Sequence, residues 1–218
     1  MTEKLKCNAV IFDFDGTLAD SMPFLEMIGV QVMMRYYGID KADATHRYRS
    51  TTGLPYEHQI ESNFPRNSKN HEAVEEFEKL KIERIFEQEL FPETKDALMR
   101  IRKLGIAVFV SSSTFQPTIE RYFEQRGLKE DFTEILGYRP GFEKGIHHFN
   151  HIKDNHGLEL NEVVFVGDSL KDFERSKSIC QFIGIEGIFS KADFLKAGHQ
   201  GYVVTSIGAV PDLLDPIR

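Results

Sequence analysis

Four polar clusters stand out along the chain because each contains residue types that bind metal ions or anions. They are Asp13-Phe14-Asp15-Gly16-Thr17, the run Ser111-Ser112-Ser113, Lys144, and Gly167-Asp168-Ser169 followed by Asp172. Carboxylate oxygens suit a hard cation such as Mg²⁺, and a cation together with a lysine offsets the charge of a phosphate group. If the clusters meet in space, they form a plausible site for phosphate chemistry.

Three of these clusters directly follow a short apolar run. The runs are Asn8 to Phe12 before Asp13, Gly105 to Val110 before Ser111, and Val163 to Val166 before Gly167. Such runs are typical of strands that are buried on both faces of a parallel sheet. Because open parallel sheets bind ligands beyond the carboxyl ends of their strands, the pattern predicts that these clusters lie together at that end of the sheet.

The remaining pattern alternates strands with helices. Further strands are predicted at Phe182 to Ile185, Phe132 to Leu136 and, at an edge, Tyr202 to Thr205. Helices are predicted at Glu93 to Leu104, Gln116 to Arg126 and Gly145 to His156. This alternation predicts an α/β fold with a Rossmann-like, doubly wound and mainly parallel sheet.

One segment interrupts the alternation. From about Pro23 to Leu90 the chain has helical periodicity and no convincing strand. We therefore expect a core domain made of residues 1–22 and 91–218, and an inserted α-helical cap domain made of residues 23–90. The alternative is a long helical hairpin packed on the sheet.

Composition and charge limit the partners that we expect. The net charge of −7 argues against a nucleic-acid partner, and no apolar run reaches the roughly 20 residues that a membrane span needs. The two cysteines have neither a C-x-x-C spacing nor nearby histidines, so no disulfide framework or zinc site is indicated. We expect a cytoplasmic protein, a monomer or homodimer, without nucleic-acid or membrane partners.

The ordered set of motifs resembles the haloacid dehalogenase-like hydrolase superfamily. Asp-Phe-Asp-Gly-Thr directly after an apolar strand is similar to the first motif of that superfamily. Ser111, Lys144 and Gly-Asp-Ser-x-x-x-Asp follow in the expected order. The resemblance implies a mobile cap inserted after the first motif. One departure is Gly145, which stands where many relatives carry proline.

The resemblance also implies a role for each aspartate of the motifs. Asp13 would attack phosphorus and form an aspartyl-phosphate, and Asp15 would act as general acid and then general base. Asp13, the backbone carbonyl of Asp15, and Asp168 would bind the cofactor Mg²⁺. Asp168 could instead cap the helix that follows it.

The resemblance also implies which residues bind the phosphoryl group and which support the site. Ser111, Ser112 and Lys144 would hold the phosphoryl group, while Thr17 and Asp172 would support the site. The alternative for the serine run is a turn that caps the next helix.

We therefore expect a Mg²⁺-dependent phosphatase that acts on a small phosphorylated metabolite. The carboxylate at Asp15 argues against a dehalogenase, because that branch of the superfamily replaces it. A β-phosphoglucomutase-like phosphomutase is the alternative, and a non-catalytic binding protein with this fold is a further one.

Substrate specificity should come from the cap. The candidate residues are Tyr48, Arg49, Thr52 and Tyr56. The alternative is that the aromatic members form the core of the cap, because Tyr is often buried for packing.

Overall fold

The computed structural model describes residues 3–217. The described chain forms two compact units, one made of residues 3–19 and 90–217 and the other of residues 20–89. The sequence-based boundaries followed residues 22 and 90, whereas the units divide after residues 19 and 89. No helix of the described residues is long and apolar enough to cross a membrane.

The first unit contains a six-stranded sheet in which all paired strands are parallel. The strands of the unit are β1 (Leu5–Cys7), β2 (Ala9–Phe12), β3 (Ala107–Phe115), β4 (Glu134–Tyr138), β5 (Val163–Gly167), β6 (Gln181–Ile185), β7 (Val203–Val204) and β8 (Leu214–Pro216). The order in the sheet is β4-β3-β2-β5-β6-β7, while β1 and β8 pair separately. The predicted α/β fold with a mainly parallel sheet is confirmed.

The strand order creates a topological switch point at β2. The chain moves from β2 to β3 and β4 on one side, then returns to the other side of β2 with β5 and continues to β6 and β7. The connection that leaves β2 and the one that leaves β5 run in opposite directions, which opens a crevice beyond the carboxyl ends of these two strands. Asp13 directly follows β2 and therefore lies at this switch point.

The described residues contain the following α-helices, some of which begin or end at residues that favour helix termini. They are α1 (Met22–Tyr37), α2 (Lys41–Ser50), α3 (Tyr56–Asn63), α4 (Asn70–Arg84), α5 (Thr94–Lys103), α6 (Gln116–Gln125), α7 (Ile146–His156), α8 (Leu170–Ser176) and α9 (Lys191–Lys196). Gly157 ends α7 with a φ of 65°, a conformation that glycine adopts without strain. Ser169 and Ser190 cap α8 and α9 by accepting backbone hydrogen bonds through their side chains.

An apolar core holds the sheet against its helices. It includes Ile11, Phe109 and Phe165 from the strands, which pack with Phe149 of α7 and Phe173 of α8. Each of the three strand side chains is fully buried, which contributes roughly 2 kcal/mol apiece relative to exposure. The strand ends that carry the polar clusters are therefore rigidly supported.

Two features of the sheet were not predicted. Strand β3 continues beyond Val110 to Phe115, with a shift of register against β4 between Ser111 and Phe115. The short strands β1 and β8 pair outside the main sheet. Neither feature produces an apolar run, so the sequence pattern did not reveal them.

The second unit is helical and has its own apolar core. Helices α1 to α4 contribute buried residues to one cluster, among them Ile28, Met33, Ile60 and Phe77. Asp40 caps α2 by accepting the Asp43 amide at 2.9 Å. The unit therefore has the buried apolar surface that an independently packed domain needs.

Candidate active site

The register of the sheet brings the predicted strand-end residues side by side. Phe12 of β2 lies opposite Val110 of β3 and opposite Val166 of β5. Asp13, Ser111 and Gly167 are the next residues along the chain after these three positions, so they lie side by side towards the carboxyl ends of the strands. The Asp13 amide donates to the Val166 carbonyl at 2.9 Å, which extends the ladder to Asp13 itself.

A tight turn after β2 fixes the first motif. The Phe14 carbonyl accepts the amides of Leu18 at 2.9 Å and Ala19 at 3.1 Å. Gly16 has a φ of 77°, which disfavours any residue with a Cβ atom, and its amide donates to the Ala19 carbonyl at 2.9 Å. The turn leaves Asp15 half-buried, and its Oδ2 accepts a hydrogen bond from Thr114 Oγ1 at 3.2 Å.

Three carboxylates meet at the carboxyl ends of these strands. Asp13, Asp168 and Asp172 each bring one oxygen within 4.8 Å of the others. All three are buried, with exposed fractions of 5%, 2% and 0%. Oδ2 of Asp168 is buried and has no hydrogen-bond partner among residues 3–217. Clustered oxygen donors with an unsatisfied buried acceptor fit a hard divalent cation.

Lys144 binds two of these carboxylates. Its Nζ lies 2.8 Å from Asp13 Oδ1 and 2.6 Å from Asp172 Oδ1. Burial favours the neutral amine, but Asp13 and Asp172 outweigh it and raise the pKa of Lys144. The lysine is therefore a fixed positive charge beside Asp13.

One lysine does not compensate for the three buried carboxylates. Burial, together with the charge of Asp172, raises the pKa of Asp13 to about 7 despite the opposing charge of Lys144. Burial, together with Asp13 and Asp172, also holds the pKa of Asp168 well above its usual value. In Asp172, Lys144 and Arg175 outweigh burial and lower the pKa. Asp13 and Asp168 thus lie where a further cation would stabilise their charged forms.

Arg175 is a residue of this network that the sequence interpretation missed. Its guanidinium donates to Asp172 Oδ1 at 3.3 Å. The arginine side chain passes close to Gly145, where a Cβ atom would lie 3.0 Å from Arg175 Cδ. Gly145 has a φ of 104°, which proline cannot adopt. The backbone of this chain therefore follows a path at position 145 that a proline would not allow. Arg175 follows Asp172 by three residues, and this spacing, which brings side chains together on a helix, is the sequence signal that could have identified it.

The predicted phosphate-binding serines are both fully buried. The Oγ of Ser111 lies 2.8 Å from Nδ1 of His148, a residue that was not singled out in the sequence. The Oγ of Ser112 accepts the Thr114 amide at 3.0 Å. Thr17 is also fully buried, and its Oγ1 has no hydrogen-bond partner within the described chain.

The structure distinguishes these residues from helix caps. Ser169, and not Asp168, caps α8: its Oγ accepts the Asp172 amide at 3.1 Å and donates to Asp172 Oδ2 at 2.7 Å. The serine run does not cap α6 either, because β3 continues through it and Phe115 precedes that helix.

The four cap residues proposed for specificity lie within the helical unit. Tyr48 and Tyr56 are 2% and 3% exposed, and the Tyr56 hydroxyl donates to the Gly29 carbonyl at 3.0 Å. Thr52 is buried and donates to the Tyr48 carbonyl at 3.1 Å, while Arg49 pairs with Glu26 through two hydrogen bonds of 2.7 and 2.8 Å. This favours packing for the two tyrosines, and substrate contact by the four residues stays a prediction.

Comparison with known proteins places these motifs in a family context. The sequence profile of the family described as haloacid dehalogenase-like hydrolase matches residues 10–185. A haloacid dehalogenase-like hydrolase domain-containing protein of Arabidopsis thaliana is 27% identical, with the alignment covering 97% of this chain and 85% of the plant protein. A phosphoglycolate phosphatase of Aliivibrio fischeri is 24% identical over 78% of this chain and 79% of its own length.

Solved structures share the fold. The crystal structure of a predicted phosphatase from Clostridium acetobutylicum superposes with a TM-score of 0.80 at 18% identity, covering 95% of this chain and 97% of that one. At this level of identity the likeness concerns the fold alone.

Proposed function

Because the chain belongs to the haloacid dehalogenase-like hydrolase family, we propose that it is a Mg²⁺-dependent phosphatase that hydrolyses a small phosphorylated metabolite through an aspartyl-phosphate on Asp13. The observation that carries the proposal is the buried cluster in which Asp13, Asp168 and Asp172 bring their oxygens within 4.8 Å of one another. Lys144 binds both Asp13 and Asp172. The relatives named phosphoglycolate phosphatase support a small phosphorylated substrate.

In the first step the Asp13 carboxylate attacks phosphorus. A bond forms between a carboxylate oxygen of Asp13 and phosphorus, and the bond from phosphorus to the ester oxygen breaks. Asp15 gives its proton to the departing alkoxide, so that the alcohol leaves neutral. Lys144 offsets negative charge on the phosphoryl oxygens, and the Ser111 hydroxyl donates a hydrogen bond to one of them.

In the second step water hydrolyses the aspartyl-phosphate. Asp15, now a carboxylate, takes a proton from the attacking water, and the bond between Asp13 and phosphorus breaks. Inorganic phosphate leaves, and both aspartates return to their starting forms. One carboxyl group thus serves as acid and then as base, which requires a position within reach of both the leaving group and the water.

The proposed Mg²⁺ would be held by Asp13, Asp168 and the backbone carbonyl of Asp15. The bound ion would supply positive charge against the phosphoryl oxygens. Asp172 would keep Lys144 in place from the other side. The buried Asp168 oxygen without a hydrogen-bond partner supports a cation at this position.

The test is hydrolysis of p-nitrophenyl phosphate with and without divalent cation. Activity should require Mg²⁺ and disappear in excess EDTA, and Asp13→Asn should be inactive while the exposed Asp154→Asn retains activity. Undiminished activity in EDTA, or activity in Asp13→Asn, would contradict the proposal.

A panel of phosphorylated metabolites, assayed for release of inorganic phosphate, then identifies the substrate. Isomerised product without phosphate release would indicate a mutase instead.

A further inference from the structure

His148 is a buried polar residue that the proposed mechanism does not use. It lies in the first turn of α7 and is fully buried, with its ring centroid 4.6 Å from that of Phe142. Its neighbour His147 is exposed. A fully buried histidine loses its contacts with water, so the polar contact that it keeps is informative.

That contact is with Ser111. His148 Nδ1 lies 2.8 Å from Ser111 Oγ, and both side chains are fully buried. Ser111 follows Val110, which is paired with Phe12 directly before Asp13. The histidine therefore lies behind the hydroxyl that is assigned to the phosphoryl group.

A nucleophilic Ser-His pair is a poor explanation of this contact. Burial, assisted by the charge of Lys144, lowers the pKa of His148 to about 3, although the Gly137 backbone opposes this shift. A group with such a low pKa is a weak base near neutral pH. The ring is neutral there and carries a single N–H.

We propose that His148 is a positioning residue whose Nδ1–H donates to Ser111 Oγ, so that the Ser111 hydroxyl proton is directed to a phosphoryl oxygen. A serine hydroxyl has one proton, and a hydroxyl that donated to Nδ1 would have none left for the phosphoryl group. The inference rests on the proposed function, in which Ser111 binds the phosphoryl group.

The surroundings of the second ring nitrogen support this tautomer. Nε2 is buried and makes no hydrogen bond among residues 3–217, although the Gly137 backbone lies near enough to the ring to raise the pKa of His148. A buried N–H without an acceptor is more costly than a buried lone pair without a donor. The proton is therefore better placed on Nδ1, where Ser111 Oγ accepts it.

The first test is a double-mutant cycle between His148 and Ser111. With p-nitrophenyl phosphate and Mg²⁺, His148→Leu should lower kcat/KM and weaken inhibition by inorganic phosphate, each by about tenfold, as expected for one hydrogen bond. His148→Asn places an amide near the Nδ1 position and should restore most of the loss. In a Ser111→Ala background, His148→Leu should have little further effect. The exposed His58→Leu in the helical unit makes the same chemical change and is the matched control, which should behave as wild type.

The outcomes separate this inference from the proposed function. If Ser111→Ala alone has wild-type kinetics, the phosphoryl-binding role of Ser111 is wrong. If Ser111→Ala is impaired and His148→Leu lowers kcat/KM equally in both backgrounds, the phosphatase proposal survives and the positioning role is overturned.

A second measurement uses the wild-type protein and does not depend on the folding of a variant. The ¹⁵N shifts of the imidazole nitrogens should identify His148 as the neutral tautomer with the proton on Nδ1, its signals being assigned by their loss in His148→Asn. A proton on Nε2 would overturn the inference.

Discussion

Replacing the proposed nucleophile should stabilise the metal-free protein. In the absence of metal, burial raises the pKa of Asp13 from 3.8 to about 7 despite the opposing charge of Lys144. At pH 7 the unfolded chain has this group fully ionised, whereas the folded protein must either protonate it or bury its charge. The difference corresponds to roughly 4 kcal/mol of lost stability at pH 7 and roughly 2 kcal/mol at pH 5.

The direction in which stability changes with pH follows from proton binding. A carboxyl group whose pKa is raised by folding binds more protons in the folded state, so its contribution to stability is lost as pH rises from 3.8 towards 7. Asp13→Asn removes the ionisable group, and Lys144 keeps Asp172 as its partner at 2.6 Å. The variant should therefore be more stable than wild type at pH 7 in EDTA, by an amount that shrinks at pH 5.

The assay is equilibrium unfolding in urea, monitored by circular dichroism at both pH values in EDTA and again in Mg²⁺. Mg²⁺ should stabilise the wild type and have a much smaller effect on Asp13→Asn, because the proposed ion site exists only in the folded protein and includes Asp13. Asp154→Asn makes the same chemical change at an exposed position and should shift stability by less than about 0.5 kcal/mol. An Asp13→Asn variant less stable than wild type in EDTA at pH 7 would refute the reasoning.

Two further predictions concern neighbouring residues. Gly145→Ala should destabilise the protein by about 1 to 3 kcal/mol and lower phosphatase activity, because φ is 104° and the new Cβ would meet the Arg175 side chain; unchanged urea midpoints and kinetics would contradict this. His148 has a pKa depressed from 6.5 to about 3, so its unfolded form takes up a proton first as pH falls. Between pH 7 and pH 5 the wild type should therefore lose about 2 kcal/mol more stability than His148→Asn in paired urea titrations. Equal losses of stability in the two proteins would show that the pKa of His148 is not depressed.

The parts of the fold that the sequence predicted are those that depend on local pattern. Strands buried on both faces of a parallel sheet must be apolar along their whole length, which is why β2 and β5 were recognised. The polar residue after each strand then marks the edge at which ligands bind. For Asp13 and Asp168 the prediction that distant segments meet followed from this rule, and their oxygens do lie within 4.8 Å.

The parts that could not be predicted depend on tertiary contacts. The hydrogen bond between Ser111 and His148 joins residues 37 positions apart, and nothing in the spacing specifies that the histidine is buried. The approach of Arg175 to Gly145 depends on the backbone path between β4 and α7. Strands β1 and β8 are three residues each, too short for a period to be recognised.

The most direct test of the central claim is to trap the phosphorylated enzyme. p-Nitrophenolate leaves without needing a proton, so Asp15→Asn with p-nitrophenyl phosphate and Mg²⁺ should complete the first step and stall before hydrolysis. We predict a burst of p-nitrophenolate equal to the enzyme concentration and a hydroxylamine-sensitive phosphoryl group on the peptide that contains Asp13, located by mass spectrometry. A phosphoryl group on another residue, or steady turnover at the wild-type rate without a burst, would contradict the account.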